Sequence, residues 1–215
     1  MLPSRRPPSS PTLVPSTHAF GVLPSGMPLS NVYIHADESC LGNQFKGRAN
    51  RGGAGGLMET WIDGEWIARD FWLSEPDTTN NRMAIWSAIA GLTSLKRRAP
   101  VQFVSDSQYL VKGASEWMPG WKRRGWKRKA GPIENLDLWQ KLDRILEPLD
   151  VSWHWVRGHD GHARNEYVDD LAVRAAQEQS SSGGLVESGF VDWLNEQREK
   201  RERYLDFMEF VEPEL

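Results

Sequence analysis

Three aspartates stand where carboxylate chemistry could be done. Asp37 closes a stretch in which Val32, Ile34 and Ala36 alternate with Tyr33, His35 and Asp37. Asp106 directly follows the short apolar run at 101–105. Asp169 lies in a helical stretch, 164–178, that follows Gly158-His159-Asp160-Gly161-His162. Ligands of open α/β sheets gather beyond strand ends. Three carboxylates meeting there would make a strongly negative pocket that calls for a cation, and Mg²⁺ takes hard oxygen ligands. Taken singly, each Asp reads equally well as a cap or a solvated residue. His159 alone reads as an exposed loop histidine. Spacing does not assemble these residues into one site.

The elements that would position them follow from periodicity. Residues 32–37 alternate as a first strand. Residues 52–61 are glycine-rich, Asp63-Gly64 is a hairpin signal, and 65–73 supply the returning strand. Thr78, Thr79, Asn80 and Asn81 are suited to capping a helix whose apolar face is Met83, Trp86, Ile89 and Leu92. Val101 to Val104 reads as a buried strand, 107–114 and 135–147 as helices, and 151–156 as a strand with Trp153 and Trp155 on one face. This order predicts an α/β domain, a mixed sheet flanked by helices.

Composition sets the limits. The chain has 215 residues, 39% hydrophobic and 26% charged, with a net charge of −3. No apolar run is long enough for a membrane helix. The single cysteine, Cys40, excludes an internal disulfide and a cysteine-based zinc site. It fits a reducing compartment, and a cytoplasmic monomer without a membrane partner is the expectation. Residues 1–30 hold seven prolines and no acid, which predicts a disordered arm rather than a targeting segment. The domain proper is expected over 31–178 and a flexible linker over 179–184. Residues 185–215 carry nine acids against four bases. Phe190, Trp193, Leu194, Tyr204, Leu205 and Met208 recur there at near-helical spacing, which predicts a helical extension that docks on the domain or on a protein partner; an acidic solvated appendage is the other reading of the same residues. Its charge also suggests that it could fold over the basic run at 122–129.

Six motifs in order make the chain resemble the bacterial type 1 ribonuclease H family. They are His-Ala-Asp-Glu-Ser-Cys-Leu-Gly-Asn at 35–43, Thr-Thr-Asn-Asn-Arg-Met at 78–83 and Ser-Asp-Ser-Gln-Tyr at 105–109. Trp-Lys-Arg-Arg-Gly-Trp-Lys at 121–127, Asp-Leu-Trp-Gln-Lys-Leu-Asp at 137–143 and Gly-His-Asp-Gly-His-Ala-Arg-Asn-Glu at 158–166 complete the series. The resemblance implies a ribonuclease H-like fold with a five-stranded mixed sheet, three antiparallel strands then two parallel. It also implies hydrolysis of the RNA strand of RNA–DNA hybrids by two Mg²⁺ ions, with Mn²⁺ as a substitute, leaving 5′-phosphate and 3′-hydroxyl ends. Asp37, Asp106 and Asp169 match three of the family's four metal ligands, and His159 matches its mobile histidine.

One family ligand is absent. Where the family has glutamate after the Asn-Asn-Arg-Met element, this chain has Ala84. The departure fits an active enzyme whose shell is completed by another carboxylate or by water, an inactive hybrid-binding homologue, or a substitution introduced to trap substrate. Glu38 is the nearest candidate in sequence, but neighbours on a strand point to opposite faces. Glu38 would reach the site only where the strand ends or bulges. Glu166 shares a helix face with Asp169.

The same resemblance marks a binding surface. Trp117, Trp121 and Trp126 interleave with Lys122, Arg123, Arg124, Lys127, Arg128 and Lys129, matching the family's basic protrusion for the DNA strand. Cys40, Asn43, Thr79, Asn80, Asn81 and Gln108 match positions that contact the hybrid, where short amides can read a 2′-hydroxyl. A solvated charged face and helix capping are the alternative uses of these residues.

Overall fold

A computed structural model describes residues 30–42, 50–62, 64–96, 98–158 and 161–213. The arm before residue 30, Asn43, Asp63 and His159 lie outside the described residues. Strands β1 (Val32–Cys40), β2 (Gly52–Ile62) and β3 (Glu65–Glu75) form an antiparallel meander. Helix α1 (Asn80–Thr93) leads to β4 (Pro100–Ser105), which pairs parallel with β1. Helix α2 (Gln108–Lys112), a π-helical turn (Gly113–Trp117), α3 (Met118–Arg123) and α4 (Leu136–Leu146) precede β5 (Asp150–Trp155), parallel to β4. Helix α5 (Ala163–Glu178), β6 (Val186–Glu187) and α6 (Phe190–Arg201) complete the chain.

The sheet has six strands, in the order β5-β4-β1-β2-β3-β6, one more than expected. The extra strand is two residues of the C-terminal segment pairing antiparallel with Arg69 and Asp70 on the otherwise free edge of β3. The alternation that predicted β1 sorts its side chains onto two cores. Val32, Ile34 and Ala36 join α1, α2 and α4 on one face. On the other face β2 turns Leu57 toward α5. Helix α5 lies so close to β2 that a Cβ at Gly55 would come within 2.7 Å of the Val168 carbonyl oxygen.

Helix α1 is apolar over more than the predicted stripe. Ala84, Ile85 and Ala88 are buried beside Met83, Ile89 and Leu92, because the helix lies between the sheet and α4. Trp86 is only partly buried and carries the Lys141 ammonium over its ring. Thr79 caps the helix, accepting from the Arg82 amide at 3.3 Å.

The C-terminal segment packs on the α5 face. Phe190 and Leu194 are buried with Leu57, Tyr167, Val168 and Leu171, worth about 1.5–3 kcal/mol each in apolar burial. Ser182 exchanges backbone and side-chain hydrogen bonds with Trp72, so the Ser/Gly run passes along β3. The helix is shorter than its apolar spacing suggested. It ends at Glu202, in the left-handed region, and Leu205 and Met208 lie exposed beyond it. The described tail does not fold over the basic run. The tryptophans of that run pack into the core on the opposite face of the sheet, and Lys122 pairs instead with Asp143 and Glu147 of its own face.

Candidate metal centre and nucleic-acid face

The parallel pairing of β1 with β4 stops at His35, opposite Val104, whereas its pairing with β2 continues without a bulge to Cys40. Beyond His35, β1 therefore has an open edge, and Asp106 sits there as the first residue past β4. One carboxylate oxygen each from Asp37, Glu38 and Asp106 lies within 4.8 Å of the others. Glu38 reaches the cluster although its strand neither ends nor bulges against β2. The end of β4 lets side chains from both faces of β1 turn around the same edge. By alternation Glu38 belongs to the Ile34 and Ala36 face, the face that also buries Ala84.

The cluster is electrostatically poised for a cation. Burial, then the charges of Asp106 and Glu38, pushes the Asp37 carboxyl up to about 9. Burial and Asp106 push Glu38 up to about 8. Asp169 adds its charge to both. Asp37 is steadied by the Glu38 amide at 2.7 Å and by Asn165 of α5 at 3.5 Å. One oxygen of Glu38 is buried without a hydrogen-bond partner among the described residues. Crowded, desolvated hard oxygens of this kind fit Mg²⁺ or Mn²⁺.

Neighbouring residues fix Asp106. The Trp155 indole N–H donates to its carbonyl at 2.9 Å. A Cβ at Gly158 would come within 2.2 Å of Asp106 Oδ2, so a larger residue there would displace that carboxylate. Glu166 does not join the cluster. Both its oxygens accept from Arg203 at 2.7 Å, and Arg203 belongs to the C-terminal segment. No periodicity in the sequence signalled that pair.

The remaining candidates divide by exposure. Asn80 and Asn81 are exposed on the first turn of α1, and Gln108 is exposed at the start of α2. Cys40 is half-buried, its thiol against the Thr78 carbonyl at 3.5 Å. Trp121 is buried against Trp117 and Trp139, which leaves it no free face for a ligand. Trp117 and Trp126 are partly buried against the same core, so the three indoles anchor the protrusion. Arg123, Arg124, Lys127, Arg128 and Lys129 are exposed. Lys122 is drawn toward Asp143, at 2.9 Å, and Glu147.

No helix among the described residues is long and apolar enough to cross a membrane. The RNase H family matches residues 30–177. A ribonuclease H of Cupriavidus necator is 44% identical over 150 residues, 69% of this chain and 97% of the relative. One from Stutzerimonas stutzeri is 46% identical over 144 residues, 66% of this chain and 89% of the relative. A solved structure described as LC9-RNase H1, a type 1 RNase H with the type 2 active-site motif, superposes with a TM-score of 0.72 at 48% identity. It covers 79% of this chain and 82% of that one. With its open strand edge, its carboxylate cluster and these likenesses, the chain belongs to the ribonuclease H family of hydrolases.

Proposed function

We propose that the protein hydrolyses the RNA strand of RNA–DNA hybrids at the edge between β1 and β4. Asp37, Glu38 and Asp106, with Asp169 beside them, would hold the metal, and Glu38 would supply the carboxylate that position 84 lacks. The observation that carries this reading is the meeting of Asp37, Glu38 and Asp106 oxygens within 4.8 Å. A site of different composition on this fold has a parallel in the 48%-identical neighbour, described as a type 1 enzyme with the type 2 motif.

Bound Mg²⁺ or Mn²⁺ would supply the positive charge that the scissile phosphate and the attacking water need. The protein's own residues do the rest. Asp37 and Glu38 would hold the cation as carboxylates, whereas burial and the neighbouring carboxylates otherwise keep both well above the ordinary carboxylate range. Asn165 and the Glu38 amide keep Asp37 oriented. Trp155 and Gly158 hold Asp106 at the strand end. His159, next to Gly158 in sequence, is assigned the role of the family's mobile histidine, assisting proton transfer or product release. The products are 5′-phosphate and 3′-hydroxyl ends.

The exposed Arg123, Arg124 and Lys127 track the DNA phosphates. Asn80 and Asn81 meet the minor groove from the α1 N-terminus, and Thr79, Gln108, Cys40 and Asn43 are assigned to the same contact. The deciding experiment is cleavage of a hybrid labelled on the RNA strand, with Mg²⁺ or Mn²⁺, by the full chain beside Asp37→Asn and Glu38→Gln. Cleavage lost in both variants supports the reading. Tight hybrid binding by the unaltered chain without cleavage in either metal overturns it in favour of a binding module.

A further inference from the structure

The C-terminal segment grips the helix that carries Asp169. The Trp193 indole donates to Asp170 at 2.6 Å. Arg164 donates to the Val211 carbonyl at 3.2 Å. Arg203 binds both oxygens of Glu166, and the Tyr204 hydroxyl and the Gly161 amide add to the same carboxylate. These contacts bracket Asp169 on α5. The segment lies beyond the 30–177 span that the family matches, so the family core does not require it.

Glu166 stands one turn before Asp169 on the same face of α5. A free carboxylate there would be the natural addition to the metal cluster. The donors from the C-terminal segment and from Gly161 hold it below the usual carboxylate range, and it is not one of the three residues whose oxygens meet. The pair is not deeply buried, with Arg203 38% and Glu166 16% exposed. Such a pair can open at small cost.

We infer that Arg203 is a positioning residue that withholds Glu166 from the metal centre, so that the C-terminal segment sets how many carboxylates the cation meets. This rests on the metal-site reading above. When the pair opens, Glu166 adds its negative charge to the site and tightens divalent-cation binding.

The test is calorimetric titration of Mn²⁺ at low ionic strength into the full chain, Arg203→Gln, Arg203→Lys and Glu166→Gln/Arg203→Gln. Thermal melts would confirm folding, and the Glu166 carboxyl would be titrated by NMR. Arg203→Gln should bind Mn²⁺ about threefold or more tightly. The gain should vanish in the double variant and shrink in Arg203→Lys, and the Glu166 pKa should rise in Arg203→Gln. A folded Arg203→Gln with unchanged or weaker Mn²⁺ affinity overturns the inference while leaving the metal site standing. If the unaltered chain and Asp37→Asn show the same absence of binding, the metal-site reading falls and this inference with it.

Discussion

Asp37 and Glu38 are consecutive residues on an unbulged strand, yet with Asp106 their carboxylate oxygens meet within 4.8 Å. Strand geometry turns them to opposite faces. What reconciles them is the length of the neighbouring strand. β4 leaves β1 at His35, so both carboxylates can bend around an edge that no strand pairs among the described residues. Ala84, fully buried on the Glu38 side, leaves that side without a carboxylate of its own.

Glu38 should therefore be as necessary as Asp37. Glu38→Gln is expected to lower hybrid cleavage on the order of 100-fold, the scale of losing a metal-site carboxylate. Ala84→Glu in the unaltered background should lower the metal-free melting temperature, since overpacking a filled site costs about 1–3 kcal/mol. Combining Glu38→Gly with Ala84→Glu moves the carboxylate from strand to helix and should recover part of the activity. Full activity in Glu38→Gln would remove Glu38 from the site.

Stability against pH should show two opposing groups. Asp37 and Glu38, raised to about 9 and about 8, hold their protons more tightly in the fold than in the unfolded chain. The metal-free fold thus gains stability as pH falls from there toward the ordinary carboxylate range, and loses it as pH rises. His35 runs the other way. Burial, then the Arg164 charge, pulls it from 6.5 down to about 3. Below its ordinary value the unfolded chain takes a proton that the fold refuses, so stability falls as pH drops between 6.5 and 3. Metal-free melts should peak near the ordinary carboxylate range, since above it the two carboxylates outweigh the one histidine. Asp37→Asn should raise the melting temperature on the alkaline side and His35→Phe on the acid side. Mg²⁺ should stabilise most at alkaline pH and release protons on binding. A metal-free melting temperature that climbs steadily to pH of about 9 would contradict the raised carboxylates.

Much of this was legible in the residues, for identifiable reasons. The β1 alternation, the Thr79 cap and the Asp106 strand end are local patterns, and local physics fixes them. What escaped was non-local. The sixth strand exists because Val186 and Glu187 meet the free edge of β3, more than a hundred residues away. The Arg203–Glu166 pair joins the stretch after α6 to the first turn of α5, a relation no spacing encodes. Trp121 matched a substrate-binding motif, and only three-dimensional packing shows its indole enclosed by Trp117 and Trp139.

The basic protrusion should act unevenly along its length. All three of Lys122, Arg123 and Arg124 are exposed, but Lys122 alone of them already pairs with carboxylates, those of Asp143 and Glu147. Replacing Arg123 or Arg124 by Ala should lower hybrid affinity and cut the slope of log affinity against log salt by about 1 for each phosphate no longer neutralised. Lys122→Ala should change that slope less. Equal slopes for all three variants would show that the Asp143 pair opens on binding.

The C-terminal segment should be released through one side chain. Asp70, only 3% exposed, accepts from the Tyr167 hydroxyl, from Ser188 at 2.7 Å and from the Gly189 amide at 3.0 Å. Ser188 in turn accepts from the Phe190 amide at 3.1 Å, at the start of α6. A single carboxylate thus ties β3, α5 and the entry to α6 together. Asp70→Ala strands several buried donors, at a cost of about 2–4 kcal/mol. Because the family core matches residues 30–177 without this segment, the loss should open the C-terminal segment rather than the domain. Limited proteolysis of Asp70→Ala should cut within 180–190 well before the core, and Asp70→Asn should be intermediate, since it keeps one acceptor oxygen. Resistance of Asp70→Ala equal to that of the unaltered chain would mean that the buried Phe190 and Leu194 hold the segment without the latch.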